Sequence, residues 1–347
     1  MPVDRNAIMK YAENNWFSPC EDRIYSRLWP GGVVNVDQER RKLQAAGKLP
    51  GSGWKAVLLP ALDSSDQPIY GRERGFFIRP STSGEEIIAN FKPAELTGKF
   101  DIVPFYSKGD DVGDGFEDCA HFASRCLSAG GIQIDTASVP TLIQQLRFGA
   151  HAHVTRTIGL EVTLEQGERI METGVMQPGD VVAYVQVSGK VRSYNHSAIY
   201  TGFDPDYDVH RITCHTISRF HDSFYNDTWN ITTEKDWIYT LVHFSDDIFP
   251  SLPQPLQLQV SKPGQTAVYQ LSANGYAKRS ASKNVPAGIR PNDNGYWVWL
   301  PKKHALIVFW PQDGEIVSFD HVTSVSKDGL ADARITIDDT VGTFDLL

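Results

Sequence analysis

The segment that most restricts this chain is DCAHFASRCLSAGG, residues 118–131. Asp118 is a residue type that caps helix starts, since its carboxylate can accept from the free N–H groups of the first turn. Ala123, Cys126, Leu127 and Gly130 recur at helical spacing and define one apolar face. The Gly130-Gly131 pair supplies the left-handed residue on which helices end. A helix over Cys119–Ala129 is therefore expected, with a cysteine as its first residue. At that end the helix dipole stabilises a thiolate and lowers its pKa below the free value of about 8.5. Such a position suits a nucleophile, but a lone cysteine at a helix start is more often structural than catalytic, and the case changes only with a base in the right geometry. Cys126 lies on much the same face about 10 Å along the axis. That is too far for a disulfide with Cys119, and Cys126 reads as core.

Strand patterns follow the helix. MQPGDVVAYVQVSGKVRSYNHSAIYTGF, from Met176, gives strands near Val181–Val187 and Asn195–Phe203 separated by a Ser188-Gly189 turn. Asp204-Pro205-Asp206 then turns the chain into VHRITCHTI. A hairpin centred between Pro205 and Asp206 sets His196 opposite His215, and directly opposed residues share a face. One imidazole would then take the thiol proton while the other orients it, the logic of a Cys–His–polar triad. His221 and Asp222 remain as reserve third residues.

Upstream, residues 5–17 have the pattern of an amphipathic helix. A charged helix is expected near Gln38–Ala46, with short strands at Trp54–Leu59, Gly75–Ile78 and Phe100–Phe105 and a weaker helix over Ser138–Phe148. Residues 249–265 hold four prolines and read as a connection into a new unit. Beyond it, aromatic-rich strands at Tyr296–Leu300, Leu306–Trp310 and Ile316–Phe319 predict a small all-β module. The expected division is a domain over 1–248, a linker over 249–262 and the β module over 263–347.

Charge and composition remove several function classes. A net charge of −9 argues against a nucleic-acid partner held through phosphates. No apolar run approaches a membrane span. The opening MPVDRNAIMKYAENNW lacks the apolar core of a signal peptide, which predicts synthesis in the cytoplasm without a cleaved leader. Four scattered cysteines make no disulfide framework. Cys119-x-His121 and Cys214-His215 lack the paired spacing of a zinc site, so no metal and no cofactor are expected.

Asp118, Cys119, Phe122, Ser124, Cys126, Leu127, Ala129, Gly130 and Gly131 together resemble the D-C-x-x-F-x-S-x-C-L-x-A-G-G signature of an amidase domain family. That family belongs to the NlpC/P60-like, papain-like cysteine peptidase superfamily. Gly179-Asp180, HSAIYTG at His196–Gly202 and CHT at 214–216 resemble its strands carrying the base and the third polar residue. AIMKYAENNW resembles its opening helix. His121 departs from the family, which often has Asn or Gly there, and residues 30–100 and the β module have no counterpart in it.

The resemblance implies an α+β fold with a papain-like, NlpC/P60-type core, in which a helix bearing Cys119 packs on an antiparallel sheet bearing His196. It implies catalysis by Cys119, His196 and His215, on an amide of a peptidoglycan stem peptide. Acting on the wall from the cytoplasm would require export, as for a secreted antibacterial effector, whose natural partner is an immunity or inhibitor protein. The competing readings are an acyltransferase or deamidase acting on a protein, and a non-catalytic binding protein of the same fold.

Overall fold

The computed structural model describes residues 3–20, 23–26, 32–65, 68–81, 99–105, 116–148, 156–189, 191–216, 218–224 and 237–245. In the C-terminal part it describes 256–262, 265–272, 276–281, 294–300, 305–312, 315–322, 334–337 and 340–346. Among these residues the fold mixes helices with antiparallel sheets, the α+β class expected.

Helix α1 (Arg5–Asn15) starts at Asp4, whose carboxylate accepts from Ala7 N–H at 3.0 Å. Its buried Ile8 meets the end of the cysteine helix, which spans Cys119–Ala129 as expected and is numbered α3 below. A Cβ on Gly130 would fall 2.4 Å from Ile8 Cγ1, so glycine there lets the two helices touch. Gly131, at φ +93°, takes the left-handed position. Ile132 N–H donates to Leu127 O and Gly131 N–H to Ser128 O, the bond pair of a Schellman stop.

Helix α3 lies on a six-stranded sheet made of β7 (Arg156–Val162), β8 (Val181–Ser188), β9 (Val191–Asp204), β10 (Val209–Cys214), β11 (Arg219–Ser223) and β12 (Trp237–Ser245). The strands run in the order β11-β10-β9-β8-β12-β7. Val181, Ala183 and Ile199 face α3 and helix α4 (Val139–Phe148). Val182, Tyr184, Ala198 and Tyr200 face helix α5 (Leu164–Thr173), which buries Ile170 and Met171. Burial on both faces explains why Val181–Val185 is one continuous apolar run. Each buried valine of the run contributes about 1.5–3 kcal/mol.

Asp180 and Arg5 pin α1 to this sheet. Arg5 Nη1 lies 2.8 Å from Asp180 Oδ1, and His243 Nδ1 donates to Asp180 Oδ2 at 2.7 Å. Burial alone would raise the Asp180 pKa, but His243 and Arg5 hold it below the ordinary value. The Gly179-Asp180 pair thus anchors the scaffold.

The described part of the segment 30–100 is built into this body. Strands β1 (Arg23–Ser26), β2 (Val33–Asn35) and β6 (Phe116–Glu117) form one sheet. A second comprises β3 (Lys55–Leu62), β4 (Pro68–Pro80) and β5 (Phe100–Pro104). Helix α2 (Val36–Ala45) joins them in a core with Ile24, Leu58, Phe77 and Phe116. Leu58 N–H donates to Phe17 O at 2.9 Å, tying β3 to the chain just after α1.

The C-terminal strands β13 (Leu256–Lys262), β14 (Gln265–Leu271), β15 (Tyr276–Ala281), β16 (Asn294–Leu300), β17 (Ala305–Gln312), β18 (Glu315–Val322), β19 (Arg334–Ile337) and β20 (Thr340–Leu346) close into a barrel. This corrects the linker assigned to 249–262. Residues 249–255 lie outside the described residues, while Leu256–Lys262 pair with β14 on one side and Leu258–Ser261 with β20 on the other. Alternating Leu256, Leu258 and Val260 gave a strand signal that the neighbouring prolines obscured. Strands β1, β2, β6, β7, β11 and β12, helix α5 and the barrel strands β14, β15, β19 and β20 were also not anticipated from the sequence.

Candidate active site around Cys119

Cys119 opens α3 as anticipated, but the residue before it behaves differently. Asp118 occupies the cap position through its backbone, its carbonyl accepting from Phe122 N–H at 2.8 Å. Its carboxylate makes no cap bond to the helix. Instead it is buried between two histidines: Oδ1 accepts from His121 Nδ1 at 3.1 Å and Oδ2 from His215 Nδ1 at 2.9 Å. Cys20 N–H also points at Oδ2, at 3.4 Å. Burial would raise the Asp118 pKa, yet the hydrogen bonds from His121 and His215 hold it below the usual carboxylate value. His121 is therefore an interior partner of Asp118, close to Asp135 and Arg125 on its other side.

The turn after β10 delivers His215 to this carboxylate. Thr216 has φ +62°, an outlier conformation for a β-branched residue. Its Oγ1 accepts from Asp118 N–H at 2.9 Å. His215 Nε2 donates to Asn15 O at 2.7 Å, and its ring stacks on Phe122 with centroids 4.1 Å apart. Both ring nitrogens thus face acceptors. Cys20 Sγ lies 3.5 Å from the same Nδ1 that Asp118 engages. Cys20 and Asp118 therefore compete for one nitrogen, which is not the relay of a Cys–His–Asp triad, where thiol and carboxylate use opposite nitrogens.

His196 and His215 do not face each other. Val209 stands opposite Asp204 and Thr213 opposite Ile199. Continuing that register sets Thr216, and not His215, across from His196. The loop between the strands spans Pro205–Asp208, with Asp208 at φ +54°, and a bulge between Arg211 and Ile212 restores only part of the offset. A shift of one residue reverses the face of every side chain. His196 pairs with Tyr184 across the sheet, their rings 5.4 Å apart, on the face that carries Ala198 and Tyr200. Fully buried, it is pushed down to about 3, and the positive charge of Arg219 acts in the same direction. It is a neutral imidazole at physiological pH.

Cys119 has Ser197, the neighbour of His196, against its sulfur. Burial raises the thiol to about 11, while the Ser197 N–H and hydroxyl favour the thiolate and pull the other way. The side chain is 7% exposed. A populated thiolate from the helix dipole was the expectation; here desolvation outweighs it. Cys126 and Cys214 are buried in the two cores that flank the sheet. The reserve residue Asp222 pairs with Arg219, and the other, His221, lies edge-on to Phe220.

One acidic residue comes from the segment without a counterpart. Glu73 on β4 is fully buried, and its Oε1 accepts from Ser218 N–H and from Ser218 Oγ at 3.2 Å. Burial raises it to about 7, although His215 and the Ser218 bonds favour the carboxylate. Glu73 and Cys20 carried no motif; each is a single residue placed by tertiary packing. Asp118 was visible, though only as a cap.

No family model, no curated protein and no solved structure matches this chain. Among the described residues, no helix is long and apolar enough to cross a membrane.

Proposed function

We propose that this chain is a thiol hydrolase of amide bonds with a papain-like core, in which Cys119 is the nucleophile and His196 the base. The observation that carries this reading is the position of Cys119: first residue of a helix set against β9, with the Ser197 N–H and hydroxyl at its sulfur. Cys119 attacks the carbonyl carbon and forms a thioester, and the amine leaves with the proton the thiol gave up. Water then hydrolyses the thioester. The free N–H groups at the start of α3 favour the developing oxyanion. A neutral His196 is in the right state to accept the thiol proton. His196 lies on the face of the sheet opposite α3, so reaching Cys119 requires the β9 backbone at His196 to shift by one residue and not a rotation of its ring alone. The Asp118–His215 pair acts through position, holding the start of α3 against the turn after β10. A peptidoglycan stem peptide is the substrate implied by the sequence resemblance, and an exported effector is the setting in which such a chain would meet it.

A second reading, a binding protein in which Cys119 is a core thiol, is favoured by the packing of His196 on Tyr184 and by the raised thiol. Incubation with muropeptides separates the two. The hydrolase reading expects cleaved peptides by mass spectrometry and none with Cys119→Ser or His196→Ala. Equal product from wild type and Cys119→Ser would refute it. No product on any amide substrate, with tight muropeptide binding, would establish the second reading.

A further inference from the structure

Cys20, Asp118 and His215 come from three separate parts of the chain, and their ligand atoms lie within 4.8 Å of one another. Residues 20 and 215 are 195 positions apart, so no spacing motif marks the set. We infer that these three side chains form a buried site for a zinc-class divalent cation, a clip joining the segment after α1, the start of α3 and the turn after β10.

The geometry is close to what such an ion needs. With ligand bonds of about 2.0–2.3 Å, the edges of a tetrahedral site are about 3.3–3.6 Å long. The Cys20 Sγ to His215 Nδ1 edge is 3.5 Å. The Asp118 Oδ2 to Nδ1 edge is 2.9 Å, and it opens by about 0.4 Å once a metal replaces the shared proton. The ligand set is thiolate, imidazole and carboxylate, the donors zinc prefers.

The surroundings also match. His215 directs its other nitrogen to Asn15 O at 2.7 Å, the outer contact that usually fixes a metal-binding imidazole. His121 holds the free oxygen of Asp118 in the same way. All three ligands are almost fully buried, and in the metal-bound form the Cys20 thiolate and the Asp118 carboxylate carry two negative charges. A divalent cation balances them. Binding exchanges the Cys20 thiol proton and the proton between His215 and Asp118 for the metal, with no change in oxidation state. Close by, Glu73 Oε2 is buried without a hydrogen-bond partner, an orphaned oxygen of the kind a nearby cation accounts for. The clip does not depend on whether Cys119 catalyses.

The test uses the full chain, stripped with a chelator and titrated with Co²⁺ alone. One equivalent should bind, producing thiolate-to-cobalt absorption in the near ultraviolet and the visible bands of a tetrahedral ion. Zn²⁺ should bleach both and raise the melting temperature. Cys20→Ser should remove the thiolate band and weaken binding at least tenfold, while Cys119→Ser and Cys126→Ser keep the band. X-ray absorption of the wild-type zinc form, which needs no variant to fold, should show one sulfur among nitrogen and oxygen neighbours. Absence of the thiolate band, its persistence in Cys20→Ser, or a first shell without sulfur would overturn the assignment.

Discussion

Glu73→Gln provides a quantitative test of how the segment 30–100 meets the site. The side chain is fully buried, and burial raises its carboxyl from the ordinary 4.5 to about 7. A carboxyl with a raised pKa binds its proton more tightly in the folded chain than in the unfolded one. Its contribution to stability is therefore greatest below pH 4.5, falls as pH rises toward 7, and is lost above. The span corresponds to about 3 kcal/mol. Glutamine keeps the oxygen that accepts from Ser218 and never ionises. The variant should equal wild type near pH 4 and be more stable by about 3 kcal/mol at pH 8. Urea unfolding midpoints at several pH values, with chelator present, measure this difference. Parallel stability curves for the two proteins would refute the buried, ionisable Glu73. Adding Zn²⁺ to wild type should reduce the difference, because a nearby cation favours the carboxylate.

Three further outcomes are expected. With His196 held near 3 and the Cys119 thiol near 11, kcat/KM should stay level from about pH 4 to about pH 10, and a narrow bell centred below neutrality would instead indicate a Cys–His ion pair. His215→Ala, measured without metal by urea unfolding, should cost about 3–5 kcal/mol because it strips Asp118 of a buried partner, and a loss under 1 kcal/mol would show that the pair adds nothing. Residues 256–347 expressed alone should unfold cooperatively, whereas residues 263–347 should not, since β13 closes the barrel between β14 and β20; equal folding of both fragments would put the boundary back at 263.

Local chemistry settled much of this protein. The helix Cys119–Ala129 was legible to the residue, because an acidic cap residue, a 3.6-residue apolar repeat and a Gly-Gly stop all agree. The strands near Val181, Asn195 and Val209 were legible from alternation and turn residues. The site was not. Whether His215 faces His196 depends on one residue of register, and that was decided by a four-residue loop and a bulge that alternation does not encode. Desolvation of Cys119 depends on how deeply β9 and α3 bury it, a property of the assembled core and not of its position at a helix start. Cys20, Asp118 and His215 meet only because the chain after α1, the start of α3 and the turn at Thr216 converge on one buried point. Sequence fixes what each residue can do; the packing of distant segments chose which of them do it together.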